Sequence, residues 1–333
     1  MTHSTTDTTA AELTELTRGL ASGHGLLIEG ESGHVLPMLD DGCCQLIYID
    51  PPFNTGRRQT SQRMSARRVT DESEGQESAG GDTSEPSTFG AAASHTGATA
   101  ASTAQPAGRL RTGFQGASYR AVRGRLREYD DRFDDYWGFL EPLLIEAWRL
   151  LDETGTLYVH LDYREAHYAK VMLDAVFGRD CFLNELIWAY DFGGKSRRRW
   201  PAKHDTILVY VKRPDRYFFD STGVDREPYM APGLVTPEKA ARGKLPTDVW
   251  WHTIVPTSGS ERTGYPTQKP EGVLRRIVQA SSRPGDLVLD FFCGSGTTGA
   301  VAAQLDRRFV LIDRNPDAVE VTAARLGDRI TTI

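Results

Sequence analysis

Along most of this chain, apolar runs of strand length alternate with amphipathic stretches of helical period. LLIEG (26–30), QLIYID (45–50), TLYVHLD (156–162), TILVYVK (206–212), DLVLDFF (286–292) and RFVLID (308–313) predict strands. VLPML (35–39) predicts a helix fragment, and YWGFLEPLLIEAWRLLD (136–152), EAHYAKVMLDAVFG (165–178), EGVLRRIVQASS (271–282), TTGAVAAQL (297–305) and PDAVEVTAARL (316–326) predict helices. Gly178 closes one helix, and Pro316 sits near the first turn of another. Near-continuous apolar strands between helices imply an α/β fold with mostly parallel strands buried on both faces.

Residues 57–118 break the pattern. Ser, Thr, Gly, Ala and Gln dominate there, and an acidic cluster (Asp71, Glu72, Glu74, Glu77, Asp82, Glu85) lies between two Arg-rich ends. Such a stretch has too little apolar area to offset its ordering entropy, which predicts a disordered low-complexity insertion. Residues 1–24 are expected to form an N-terminal tail; MTHSTTDTTA is not a signal peptide, and no apolar stretch is long enough to span a membrane, so a cytoplasmic location is expected. Cys43, Cys44, Cys181 and Cys293 show no paired metal spacing and are expected to be reduced packing residues, and no metal is expected.

The net charge of −6 argues against bulk coating of nucleic acid but leaves room for local basic patches. Residues 57–68 hold five arginines, residues 109–127 hold six with no acid among them, and KSRRR (195–199) holds four basic residues in five. Any one run could be a solvated surface; the three together suggest a polyanionic partner.

Two corners carry candidate chemistry. In DFFCGSGTTG (290–299), Gly294, Gly296 and Gly299 form G-x-G-x-x-G between a strand and a helix, and Asp313 ends the next strand. That is the literal dinucleotide pattern, although a plain strand-to-helix turn would look the same. Asp290 would repel a pyrophosphate but would bind an ammonium group through a charge-assisted hydrogen bond. S-adenosylmethionine (SAM) carries that ammonium, and its ribose hydroxyls suit Asp313, so the corner fits SAM better than NAD.

The other corner is IDPPFNTG (49–56). Pro51 and Pro52 stiffen the backbone directly behind Asp50, so the Asp50 carboxylate and the Pro51 carbonyl can act as two fixed acceptors at the carboxyl edge of the sheet. Two fixed acceptors suit an amine with two hydrogens. Gripping the exocyclic amine of adenine favours pyramidal nitrogen and exposes a lone pair, while Phe53 would stack on the base. A duplex base reaches such a corner only by flipping out, at a cost of roughly a few kcal/mol. The alternative is that D-P-P merely ends a strand and Phe53 is core.

YIDPPFNTG, YDDRFDDYWGFLEPLL, GTLYVHLDYREAHYAKVMLD, KHDTILVYVK, TGYPTQKPEGVLRRIV and PGDLVLDFFCGSGTT together resemble the amino-methylating DNA methyltransferases. The likeness is to the β-ordered group with D-P-P-[YF] ahead of F-x-G-x-G, and it covers residues 25–56 and 119–328. It implies a Rossmann-like SAM-dependent methyltransferase fold over residues 25–333, with a seven-stranded mixed sheet, circularly permuted, acting on adenine N6 in duplex DNA. By position, Asp290, Phe291, Gly294 and Gly296 would line the methionine part of SAM, Asp313 its ribose, Glu31 its adenine, and Thr267 and Lys269 its carboxylate. Asp50, Pro51, Pro52 and Phe53 would be the catalytic set. Arg57, Arg58 and the arginines at 120–127 would meet DNA phosphates, as would Arg197, Arg198 and Arg199. The target-recognition region is expected over residues 213–263, where core packing is the other reading of Trp250 and Trp251.

The nearest alternative is cytosine N4 methylation, which more often carries S-P-P-Y. An NAD-dependent oxidoreductase would need His160 or His204 as acid or base, and both read more naturally as structural histidines. A non-catalytic DNA-binding protein that kept the fold is a further reading, excluded by methyl transfer to unmethylated duplex DNA. A cognate restriction enzyme and a monomeric or homodimeric state are left open by the sequence. Deleting residues 70–108 is expected to leave SAM binding and DNA affinity largely intact in filter-binding and calorimetric assays, and a large loss of affinity would refute that.

Overall fold

A computed structural model describes residues 9–53, 57–68, 110–112, 118–131 and 135–333, with side chains from 9–53 and 135–333. The chain divides into two compact units, Met1–Ser61 with Arg127–Ile333, and Gln62–Leu126. In chain order the elements begin with α1 (Ala10–Arg18), β1 (Gly25–Glu29), α2 (Ser32–Val35), β2 (Cys44–Ile49), β3 (Arg57–Arg68), β4 (Leu110–Thr112) and β5 (Ser118–Asp131). Next come α3 (Tyr136–Leu150), β6 (Leu151–Leu161), α4 (Ala166–Phe177), β7 (Phe182–Ala189), β8 (His204–Val211), α5 (Pro237–Arg242) and β9 (Val249–Trp251). The last are α6 (Glu271–Ser281), β10 (Leu287–Asp290), α7 (Thr297–Gln304), β11 (Arg308–Asp313), α8 (Pro316–Leu326) and β12 (Ile330–Thr332).

The larger unit is built on a nine-stranded sheet in the order β12-β1-β11-β10-β2-β6-β8-β7-β9. Neighbours pair in parallel except β8, which runs against both β6 and β7. The expected count of seven strands is corrected to nine among the described residues. The two extra strands are three-residue edges, β9 and β12, too short to show a period in the sequence.

Both faces of the sheet are covered, which is why its strands read as unbroken apolar runs. Ile47, Ile49, Leu157, Val159, Leu289 and Val310 point into one core with α3 and α4. The alternate residues Leu46, Tyr48, Tyr158, Val288 and Leu311 point into a second core with α6, α7 and α8.

Three elements depart from expectation. Within the expected tail, Ala10–Arg18 is a helix held by a Thr9–Glu12 capping box and anchored by buried Leu13. FLNELIWA forms β7, a strand obscured in the sequence by Asn184 and Glu185 and by a register shift beside them. Within 57–118, Arg57–Arg68 and Leu110–Thr112 are strands rather than disordered chain. With β5 they form a three-stranded sheet in the order β3-β5-β4, in which backbone ladder bonds stand in for the apolar pattern the sequence lacks. The rest of the expected insertion lies outside the described residues.

Leu46 is wholly buried on β2 between its neighbours β10 and β6. Leu46→Ala is expected to destabilise the protein by about 2–5 kcal/mol in urea unfolding.

Candidate active site

Parallel pairing of β10 with β2, with Val288 opposite Leu46 and Leu289 opposite Ile47, brings two strand ends to one edge of the sheet. β10 ends on Asp290 and β2 runs straight into Asp50. Beyond that edge lies a crevice of about 820 Å³. Asp50, Pro51, Pro52 and Phe53 line it from the proline corner, and Asp290, Phe291, Gly294 and Asp313 from the glycine corner. Glu31, Thr267 and Lys269 line it as well. Residues far apart in the sequence thus share one cavity.

Within that set several roles are sharper than the sequence allowed. Gly296 does not line the crevice; at φ 70° it starts α7 in the left-handed region, where a Cβ would come within 2.7 Å of the Thr322 methyl. Phe291 has a fully buried side chain, and its carbonyl accepts a hydrogen bond from Ser32 Oγ at 2.7 Å. Glu31 is half-exposed and accepts from Arg314 Nη1 at 3.3 Å. Thr267 adopts φ 58°, a conformation that costs a β-branched residue of order 1–3 kcal/mol and is found chiefly where function requires it.

Lys269 is almost wholly buried, ion-pairs with Asp50 Oδ2, and places its ammonium 4.8 Å from the centre of the Phe53 ring. The other oxygen of that carboxylate, Asp50 Oδ1, is buried with no hydrogen-bond partner among the described residues. A buried acceptor without a donor is costly and calls for one from a ligand.

The glycine corner is dominated by the cost of burying charge. Burial pushes the Asp290 pKa up to about 7, against hydrogen bonds from Thr298 Oγ1 at 2.5 Å and Phe292 N at 3.1 Å, and the charges of Asp50 and Asp313 push the same way. Burial also raises the Asp313 pKa, although Gly294 N donates to it at 2.8 Å and Asn315 N at 2.9 Å. Three carboxylates around one cavity disfavour a polyanion and favour a ligand that brings a positive charge.

Arg197, Arg198 and Arg199 are exposed on the connection between β7 and β8, where Arg198 N and Arg199 N donate to Ser196 Oγ; the structure does not bring them into the crevice. Arg57 and Arg58 begin β3, and their side chains lie outside the described residues, as do those of the arginines at 120–127. Trp250 is core, its Nε1 donating to the Thr247 carbonyl at 2.6 Å, while Trp251 is 75% exposed. His160 is wholly buried between Tyr48 and Asp205, and His204 opens β8.

Sequence reasoning missed Tyr265 and Asn315, which line the crevice and meet through Asn315 Nδ2 and Tyr265 Oη at 3.3 Å. It also missed Tyr48 and Asp205. A polar residue inside a continuous apolar run, as in QLIYID and KHDTILVYV, was the available signal.

Residues 44–324 match the family model described as DNA methylase. The chain belongs to the N6/N4 DNA methylase family. Among curated members of the DNA methylases, it is 33% identical over 196 residues to the type II methyltransferase M.HpaI of Haemophilus parainfluenzae, covering 58% of this chain and 60% of that protein. It is 31% identical over 205 residues to the DNA adenine methyltransferase YhdJ of Escherichia coli K12, covering 59% of this chain and 68% of that one. The fold matches that of the cytosine-N4-specific PvuII DNA methyltransferase with a TM-score of 0.56 at 14% identity, over 93% of this chain and 90% of the other. It also matches the Thermus thermophilus modification methylase TTHA0409, with a TM-score of 0.51 at 16% identity, over 93% and 99%.

A carboxyl whose folded pKa is raised favours the native state while protonated, and that contribution fades as pH rises from about 4 toward the folded value. For Asp290 the fade ends near pH 7. Asp290→Asn is therefore expected to gain thermal stability relative to the ligand-free parent as pH rises from about 5 to about 7.5, measured as the pH dependence of the difference in melting temperature. A difference independent of pH would count against the raised pKa.

Proposed function

We propose that this DNA methylase transfers a methyl group from SAM to the exocyclic N6 amine of an adenine flipped out of duplex DNA. The observation that carries this reading is the shared cavity, with Asp50-Pro51-Pro52-Phe53 and the Asp290–Gly294–Asp313 corner opening into the same space. SAM supplies an electrophilic methyl on a sulfonium centre. The residues present fit it: buried acids Asp290 and Asp313 suit its ammonium and ribose hydroxyls, and Gly294 keeps the wall thin where the ligand passes. Lys269 would meet the SAM carboxylate, and in doing so would release Asp50 Oδ2 for the target amine.

Asp50 and the Pro51 carbonyl then hold the two amine hydrogens, and the prolines keep both acceptors from relaxing. Phe53 offers its ring to the base, and its stacking offsets part of the roughly few kcal/mol that flipping costs. After transfer Asp50 is placed to take the proton that the nitrogen sheds. Arg57, Arg58, Arg197, Arg198 and Arg199 are proposed to meet phosphates, and the exposed Trp251 belongs to the proposed recognition region, residues 213–263.

The choice of adenine is supported by the D-P-P-F form of the motif and by the likeness to YhdJ, a DNA adenine methyltransferase. Circular permutation of the usual strand order is part of the same proposal and is supported by β12 pairing directly onto β1. No helix among the described residues is long and apolar enough to cross a membrane, and a cytoplasmic enzyme, as a monomer or homodimer with a cognate restriction partner, completes the reading.

Asp50→Ala is expected to lower turnover on unmethylated duplex DNA by about a hundredfold or more while SAM affinity stays within about threefold. Tritium transfer and calorimetry measure the two quantities, and mass spectrometry of digested DNA identifies the product. Retained turnover would overturn the role of Asp50, and N4-methylcytosine as the product would replace the adenine assignment.

A further inference from the structure

Behind the crevice, a row of hydrogen bonds crosses four adjacent strand positions on one face of the sheet. Tyr48 on β2 meets His160 on β6, with Oη to Nδ1 at 2.7 Å. His160 Nε2 meets Asp205 Oδ2 on β8 at 3.2 Å, and Tyr190, just past β7, donates from its hydroxyl to Asp205 Oδ1 at 3.0 Å. His160 is wholly buried, with the Trp188 ring edge-on at 5.5 Å and the Phe53 ring tilted at 6.1 Å. Nothing in the methyl-transfer chemistry uses this row directly.

The direction of the row follows from its chemistry. Asp205 sits well inside the protein, yet hydrogen bonds from His160 and Tyr190 and the charge of Lys269 hold its pKa below the usual carboxylate range, so it accepts only. The proton on His160 therefore lies on Nε2, and Nδ1 of the neutral ring accepts from the Tyr48 hydroxyl. Tyr48 has one proton to give, and it is given away from the crevice.

That direction bears on Asp50. Tyr48 and Asp50 are two residues apart along β2 and its extension, on the same side of the strand, and both line the crevice. A hydroxyl released from His160 would have beside it the buried Asp50 Oδ1, which lacks a donor. Such a bond would occupy the acceptor that the substrate amine requires.

We propose that His160, oriented by Asp205, is a positioning residue that withholds the Tyr48 hydroxyl from Asp50 and so keeps Asp50 an open acceptor for the target amine. The inference rests on the reading of the crevice as an amine-methylating site.

The test is a double-mutant cycle in the full-length protein, with SAM affinity and circular dichroism as controls. His160→Leu removes the acceptor and is expected to lower kcat about tenfold with SAM affinity unchanged. Adding Tyr48→Phe removes the stray proton and is expected to restore kcat to within about threefold of the parent, a rescue that a merely structural histidine would not show. His160→Gln, which keeps an acceptor oxygen, is expected to retain most of the parent kcat. If His160→Leu fails to fold, Asp205→Asn serves in its place, since an amide donor can turn the imidazole proton onto Nδ1; the same loss and the same rescue by Tyr48→Phe are expected. Additive losses in the cycle, or full kcat in His160→Leu, would overturn the proposal. Absence of methylation by the parent protein would instead overturn the site reading beneath it.

Discussion

Two neighbouring parallel strands each deliver a carboxylate to the same sheet edge, and the cost of keeping those charges together out of water organises what surrounds them. Asp50 is met by a buried ammonium from Lys269, and Asp290 by a hydroxyl, a backbone amide and a partial retreat into the neutral form. Neither arrangement is self-sufficient. One Asp50 oxygen is left without a donor among the described residues, and the three acids of the crevice share few cations, so the cavity favours a ligand that brings both positive charge and N–H groups.

The same constraint explains the division of the cavity. The acids nearest the glycine turn are fixed by backbone amides of residues just beyond them, Phe292, Gly294 and Asn315, and hold their positions whatever the side chains nearby do. Asp50 is fixed instead by two prolines behind it and one cation beside it. The glycine corner is rigid by hydrogen bonding and the proline corner by covalent restriction, which leaves the Asp50 oxygens available for exchange of partners.

Much of this was legible in the residues alone. The central strands and most of the helices follow from unbroken apolar runs and their punctuation, because a doubly covered parallel sheet leaves a strong pattern; RFVLID and PDAVEVTAARL form over the residues expected of them. Asp50 and Gly294 could be placed together because strand ends of such a sheet converge on one edge. The edge strands Val249–Trp251 and Ile330–Thr332 are too short for any period to show. The capping box at Thr9–Glu12 was a readable signal that lay in a stretch dismissed on composition. The Tyr48–His160–Asp205 row could not be read, because nothing in linear order tells which strands will lie side by side.

The chain leaves the crevice through Pro51 and Pro52 and re-enters at Asp135, whose side chain caps the first turn of α3 by accepting from Gly138 N at 2.8 Å. α3 in turn contributes Phe139, Pro142 and Leu143 to the cavity wall. Departure and return are thus each clamped locally, within a few residues of the ligand space. A protein closed off in this way can lengthen, shorten or replace whatever is spliced between the two clamps while its chemistry stays in register, so diversification of one enzyme into many variants has a ready point of entry here.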